Sequence, residues 1–247
     1  MINFTFCIGQ NCPSRFFSVI LQFQSTFTHL SRIMRTFCIA VITILSALAA
    51  HAQKTMADLW INLPDSLTPY LNSDKRTDMV NFYKMGVDAE VPSLLDEKSE
   101  LRTLQERYLR ARLSESSSLQ MVMWPTADSD TVIVMVNTYV GGTLERGGAA
   151  ESVVNFYNPQ WQKFDPADVS TPVTASDLLC KPDTMDQQEY DRLLRLAHPA
   201  MVAVDIDEED YSLIYRLYVP MLTNQERDQI QPIFVQRKLK WNGKKYN

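Results

Sequence analysis

Carboxylates are concentrated in one short segment of the chain, and carboxylate oxygens can bind a metal ion. Acids fill five of the six positions from 205 to 210. A calcium ion binds about six to eight oxygens, and the candidate ligands are Asp205, Asp207, Glu208 and Asp210. The segment has neither the glycine nor the distal glutamate of an EF-hand loop, and acids also keep a tight turn solvated. We therefore predict a solvated turn without a metal, with calcium binding as the alternative.

The sequence has few residues in patterns that are typical of catalysis. A Ser-His-Asp triad would depend on His198, which stands before a proline at a predicted helix end. The serines of segment 114–118 have no GxSxG motif around them. Glycoside hydrolysis needs two acids about 5–9.5 Å apart, and no motif selects a pair among the 29 acidic residues. We predict no catalytic residue and, since the sequence has no Gly-rich phosphate loop or multi-His or multi-Cys cluster, no cofactor.

Aromatic side chains on predicted strands are candidate binding residues. They are Trp124, Trp161, Trp241, Tyr215 and Tyr218. On an exposed face they would stack on sugars or cover a partner protein, whereas in the alternative they fill the core and the sheet rims. The formal net charge of −5 argues against a nucleic-acid partner.

Strands are expected to position most of these residues. Segment 119–140 has two apolar, β-branched runs separated by a Pro- and Asp-rich break, which predicts a β-hairpin. Its second run, 131–140, is apolar on both faces, so we expect an interior strand that is covered on both sides. A second hairpin, with strands over 201–206 and 211–219, carries the acidic turn.

Helices and a last strand complete the predicted fold. The spacing of apolar residues predicts an N-terminal helical segment and leaves one region ambiguous. Two capping boxes, of sequence Thr-x-x-Gln and Thr-x-x-Glu, predict the starts of two further helices. The predicted helices are 55–61, 75–87, 185–197 after Thr184, and one after Thr223; the final strand is 234–241. Segment 100–113 fits both a helical stripe and strand alternation, and we favour a strand from about Leu104.

The order of these elements predicts an α+β fold with antiparallel sheets. Met121-Val122 and Trp161 stand at the same offset from Met201-Val202 and Trp241, and both regions read strand, turn, strand, connector, strand. We expect a single domain over 53–247, built from two related hairpin-containing halves at about 99–165 and 184–247. The halves would form one sheet or two adjoining sheets.

Residues 1–52 are typical of a targeting segment. They contain no Asp, Glu or Lys. Residues 34–52 combine a short basic start, an apolar run and a small-x-small end before Gln53, which predicts a cleaved signal peptide. The apolar run is shorter than the roughly 20 residues that cross a bilayer, so we expect no transmembrane span after cleavage, with an uncleaved anchor as the alternative. We interpret residues 1–33 as an extension translated from a misplaced start codon.

Four segments of the chain resemble a known family. They are LWINLPDSLTPYLN (59–72), RTDMVNFYKMG (76–86), LSESSSLQMVMWP (113–125) and WNGKKY (241–246). These are similar to the Bacteroidales family called domain of unknown function 3256, and the resemblance covers nearly all of the chain after residue 52. It implies a small exported envelope protein and no activity, since the family has no assigned catalytic residues.

The function predicted from the sequence is a non-catalytic binding module of the periplasm or cell envelope. Its partner would be an envelope protein or a glycan. The alternative is a carboxylate-dependent hydrolase that acts on glycan or cell-wall material. A deep cleft with two carboxylates would favour the hydrolase, and an exposed apolar surface would favour binding.

Overall fold

Two antiparallel sheets dominate residues 54–126, 131–141 and 148–247, which are the part of the chain that the computed structural model describes. The strands are β1 (Glu90–Pro92), β2 (Lys98–Leu104), β3 (Tyr108–Arg112), β4 (Ser117–Pro125), β5 (Thr131–Gly141), β6 (Ala149–Tyr157), β7 (Met201–Ile206), β8 (Leu213–Tyr218) and β9 (Arg237–Leu239). The helices are α1 (Met56–Ile61), α2 (Ser73–Met85), α3 (Pro166–Val169), α4 (Gln187–Leu196) and α5 (Asn224–Ile230), with 3₁₀ turns at Ala175–Leu178 and Gln231–Ile233. The larger sheet has the order β1-β2-β3-β4-β5-β6, and the smaller one has the order β7-β8-β9. The predicted α+β class is therefore confirmed.

Strands β4 and β5 form the predicted hairpin, with Met121 opposite Met135 and Val122 opposite Val134. Along β5, Val134 and its alternate neighbours face one hydrophobic cluster, while Ile133 and Met135 face another. Both faces of the strand are buried, and β5 lies between β4 and β6. The prediction of a doubly covered interior strand is confirmed.

Each face of the larger sheet has its own cover. Helices α1 and α2 cover one face, where Trp60 and Met79 are fully buried with Met121. The smaller sheet covers the other face, where Val204 and Tyr215 pack with Val134 and its neighbours. A third, smaller cluster joins α4 and α5 through Leu193 and Ile230.

Local capping explains where the N-terminal helices begin and end. Thr55 and Asp58 form a capping box at the start of α1, and the side chain of Asn72 caps α2. Gly86, with φ of 70°, ends α2 in the left-handed conformation that glycine adopts without strain. The two predicted helices are confirmed, but α2 ends earlier than expected. Val87 consequently lies outside the helix and is exposed.

Three predicted boundaries need correction. The ambiguous segment 100–113 belongs to two paired strands, β2 and β3, because Leu101 and Ala111 face each other across the pair in the core. The helical alternative is therefore wrong. The capping box at Thr184 is also wrong, since Asp186 caps α4 by accepting a hydrogen bond from the Glu189 N–H. The last strand extends only over β9 rather than over 234–241.

A polar seam connects the two sheets within their largely apolar interface. We use this term for Gln120, Thr138 and Ser152, which lie on β4, β5 and β6 and face β7. The Ser152 hydroxyl accepts from Val204 N at 2.9 Å and donates to Val204 O at 3.2 Å. Gln120 Oε1 accepts from Ile206 N at 3.0 Å. Because β7 is the edge of its sheet, these side chains bind the backbone groups that no neighbouring strand pairs.

The two halves predicted at 99–165 and 184–247 share a strand order. Strands β4, β5 and β6 form an antiparallel meander, and β7, β8 and β9 form another. The structural equivalence of the halves stays a prediction. The predicted extension at 1–33 and signal peptide at 34–52 lie outside the described residues. No helix within the described ranges has the length and apolar character to cross a membrane.

Replacement of Ser152 by alanine tests the seam. Ser152→Ala leaves the buried N–H of Val204 without its acceptor and removes the nearer of two hydroxyls that donate to the Val204 C=O, since Thr138 Oγ1 lies 3.5 Å from that oxygen. The free energy of unfolding should therefore fall by about 1–3 kcal/mol in urea titrations. Ser118→Ala is the matched control. Ser118 lies on the same face in the same cross-strand row, opposite Thr138, which in turn lies opposite Ser152, and its side chain forms no hydrogen bond within the described residues. Equal stability of both variants would contradict a structural role for the seam.

Candidate functional site

The acidic segment forms the turn between β7 and β8, and its carboxylates bind cationic side chains. Lys238 Nζ lies 2.7 Å from Asp207 and 3.2 Å from Asp210. The hydrogen bond from Lys238 lowers the pKa of Asp207. The Ser212 hydroxyl, followed by Lys238, lowers the pKa of Asp210.

The remaining candidate calcium ligands point elsewhere. Glu208 lies 3.3 Å from Arg110 on β3, and Asp205 accepts a hydrogen bond of 2.7 Å from Gln120. Among the described residues, no three His, Cys, Asp or Glu side chains converge into a group that would hold a metal ion. The arrangement therefore gives no support to the calcium alternative. Asp207 and Asp210 instead pair with Lys238, Glu208 pairs with Arg110, and Asp205 bonds to Gln120.

The structure brings only two of the predicted binding aromatics together. The rings of Trp124 and Trp241 stack at 5.8 Å with an interplanar angle of 10°. Trp124 Nε1 donates to the Tyr246 hydroxyl at 2.7 Å, and that hydroxyl donates to Tyr211 O at 2.9 Å. These contacts make the half-buried pair part of the packing between the two sheets.

The other three predicted aromatics are dispersed. Tyr215 is 8% exposed and faces the core, and burial raises the pKa of its hydroxyl. Trp161 packs edge-on against Tyr157 on the helix-covered side. Tyr218 lines a pocket of about 270 Å³ beside α5. The five residues therefore do not form one binding face.

A second pocket, of about 330 Å³, opens where the helix cover of the large sheet ends. The α1–α2 connection, the β1–β2 turn and the β3–β4 turn meet around it. We call it the tyrosine pocket, and it is defined by Thr68, Tyr70, Leu95, Glu97, Ser99, Leu113, Ser114, Ser116, Ser117, Asn137 and Tyr139.

The floor of the tyrosine pocket continues strand β5. Side chains alternate along a strand, so Ile133, Met135, Asn137 and Tyr139 share one face. Ile133 and Met135 are buried beneath the helices, whereas Tyr139 is 55% exposed. Asn137 lies between them, and its Oδ1 is shielded from solvent without a hydrogen-bond partner in the described residues. A buried acceptor without a partner costs free energy unless water or a ligand donates to it.

Exposed apolar groups and hydroxyls form the rim. Tyr70 is 54% exposed and Leu95 is 58% exposed, and a hydrogen bond of 2.9 Å from Leu94 N to Tyr70 O ties their segments together. On the opposite side, the hydroxyls of Ser114 and Ser117 lie 2.7 Å apart. The rim thus presents two tyrosine rings next to a group of serine hydroxyls.

Arg76 fixes the segment that carries Tyr70. This arginine of α2 is 1% exposed, and its guanidinium donates to Thr68 Oγ1 and to the carbonyls of Ile61, Leu63 and Leu71. Burial lowers its pKa. One side chain therefore gathers the backbone of the α1–α2 connection into the wall of the pocket.

The comparisons with known proteins give a family. A family model described as "Protein of unknown function (DUF3256)" matches residues 47–246. The chain belongs to the DUF3256 family. The resemblance expected from the four sequence segments is thereby confirmed.

A solved structure with a similar fold is also found. It is the structure of a domain of an uncharacterized protein from Porphyromonas gingivalis W83, with a TM-score of 0.61 and 20% sequence identity. The match covers 78% of this chain and 96% of that chain, and it shows the fold alone. No curated protein matches the chain.

Sequence reasoning did not select Tyr70, Leu95 or Asn137 as site residues.

 Tyr70 and Leu95 lie in connections between helices and strands, and no local sequence pattern predicts that these connections lie side by side. One signal was available, because two of the four family-like segments, 59–72 and 113–125, supply residues of the tyrosine pocket. The signal for Asn137 was weaker: it is the one amide in the largely apolar run 131–140.

Replacement of Arg76 tests how the pocket wall is held. Arg76→Met removes the side-chain donor to the carbonyls of Ile61 and Leu63 and one of two side-chain donors to that of Leu71. We therefore expect the free energy of unfolding to fall by about 2–5 kcal/mol in urea titrations followed by circular dichroism. Asp65→Asn is the control, because Asp65 bonds to the same guanidinium at 3.0 Å but its side chain is 63% exposed. That variant should lose less than about 1 kcal/mol. A loss in Arg76→Met no larger than in the control would refute the role given to Arg76.

Proposed function

We propose that this protein is an exported, non-catalytic binding protein of the cell envelope, and that its tyrosine pocket binds a saccharide. The observation that carries the proposal is the unpartnered Oδ1 of Asn137 in the pocket floor. A sugar hydroxyl or acetamido N–H is a suitable donor to this oxygen.

The rim supports the same class of ligand. Tyr70 and Tyr139 each expose about half of their surface, and a tyrosine ring combines an apolar face with a polar tip. Such rings can cover the C–H faces of a sugar while Ser114, Ser116 and Ser117 exchange hydrogen bonds with its hydroxyls. The volume of about 330 Å³ is at the lower end of ligand pockets, which hold about 300–1,000 Å³.

The small number of carboxylates that line the tyrosine pocket favours binding over hydrolysis. Glycoside hydrolysis needs a pair of acids on the two sides of the scissile bond. Among the described residues that line the tyrosine pocket, Glu97 is the single carboxylate. The pocket of about 270 Å³ beside α5 has no acid among its described lining residues. The hydrolase alternative therefore gains no support from either pocket.

A glycan array followed by calorimetry tests the proposal. Bacterial, host and plant oligosaccharides are screened, and the best binder is titrated into the wild-type protein and its variants. Asn137→Leu removes the acceptor at similar volume and Tyr139→Ala removes one ring, so each should weaken binding at least about tenfold, or about 1.4 kcal/mol.

Met221→Ala is the control for the titration. Met221 is 94% exposed and does not line the tyrosine pocket, so its replacement should leave the affinity unchanged. An array without a saturable binder would overturn the proposal. So would a binder whose affinity responds equally to all three substitutions.

Export has its own test. Residues 34–52 have the order of a signal peptide, with a basic start, an apolar run and a small-x-small end. We expect N-terminal sequencing of the protein from the periplasmic or envelope fraction to begin at Gln53, whether or not this residue has cyclised. A mature chain that begins before Met34 would contradict both the signal peptide and the assignment of 1–33 as an extension.

A further inference from the structure

The pocket beside α5 differs in charge from the rest of the chain. It lies between the end of β8, helix α5 and the segment that leads to β9, and its volume is about 270 Å³. Arg216 and Arg227 both line it, together with the amide side chains of Gln231 and Gln236. No Asp or Glu is among its described lining residues, although the whole chain has a formal charge of −5.

The two guanidinium groups are largely free of protein carboxylates. Arg216 reaches Asp205 at 3.9 Å, the outer limit of an ion pair. Within the part of the chain that the structure describes, Arg227 has no ion pair. Arg192 on the neighbouring α4 is different, since it binds both oxygens of Glu189 at 2.7 and 2.8 Å. The pocket therefore holds cationic groups whose charge the described protein does not neutralise.

Apolar side chains form the remaining wall. Ile230 is fully buried in the cluster between α4 and α5, and Leu222 and Phe234 pack on that cluster from its edge. Tyr218 adds a half-buried ring. The wall thus combines an apolar surface with two arginine forks.

We infer that this pocket binds a small carboxylate that carries a short apolar group. The planar carboxylate matches the paired N–H donors of a guanidinium. The apolar group would lie against Leu222 and Phe234, where it leaves water. This binding is separate from the saccharide site, because the two pockets share no lining residue.

Calorimetric titration of the wild-type protein with hexanoate and with hexanamide tests the inference. The two probes share their apolar chain and differ in charge. We expect hexanoate to bind saturably and more weakly as sodium chloride is raised from about 20 to 500 mM, because salt screens partly exposed charges. Hexanamide should bind at least about tenfold more weakly.

Variants assign the binding to the pocket. Arg227→Gln and Arg216→Gln should each weaken hexanoate binding at least about tenfold. Arg195→Gln is the matched control, since Arg195 is an exposed arginine of α4 that lies outside the pocket and has no ion pair within the described residues. Unchanged circular dichroism spectra and melting temperatures of all three variants establish that they fold. Absence of saturable hexanoate binding, equal binding of hexanamide, or an equal loss in Arg195→Gln would each overturn the inference.

Discussion

The edge of β7, which no neighbouring strand pairs, is the constraint on which the arrangement of the two sheets depends. An edge strand that is buried against another sheet must still pair its N–H and C=O groups. Here the large sheet supplies the partners from its face, through Ser152 to Val204 and through Gln120 to Ile206. These bonds form only at one position of β7, whereas apolar contacts alone would allow it to slide. The seam therefore fixes which residues of the small sheet face the core and which face solvent.

The positions of both pockets follow from this arrangement and from the length of β5. Helices α1 and α2 cover the middle of the large sheet, but β5 has 11 residues and continues beyond them. The same face that buries Met135 then presents Asn137 and Tyr139 at the uncovered end. On the small sheet, inward-facing Tyr215 fills the core, and its neighbour Arg216 is left to line the second pocket.

Local patterns in the sequence predicted many of the helices and strands but not which distant segments pack against one another. The two-faced apolar run of β5 and the capping box at Thr223 correctly predicted a strand and the start of a helix. Strand β2 was hidden because Lys98 to Leu104 is mostly polar, with side chains such as Glu100 and Arg102 paired across its surface. The tyrosine pocket was hidden for a different reason. The wall that carries Tyr70 depends on Arg76 and on contacts between segments that are distant in sequence. The periodicity of apolar residues does not predict such contacts.

The shared use of β5 also has a dynamic consequence. A strand paired on both sides and buried on both faces exchanges its amide hydrogens only through large-scale opening of the protein. Asn137 is hydrogen-bonded into that strand, opposite Leu119 and Val153. The floor of the tyrosine pocket is therefore pre-organised, and the proposed binding of a saccharide would cost little conformational entropy there.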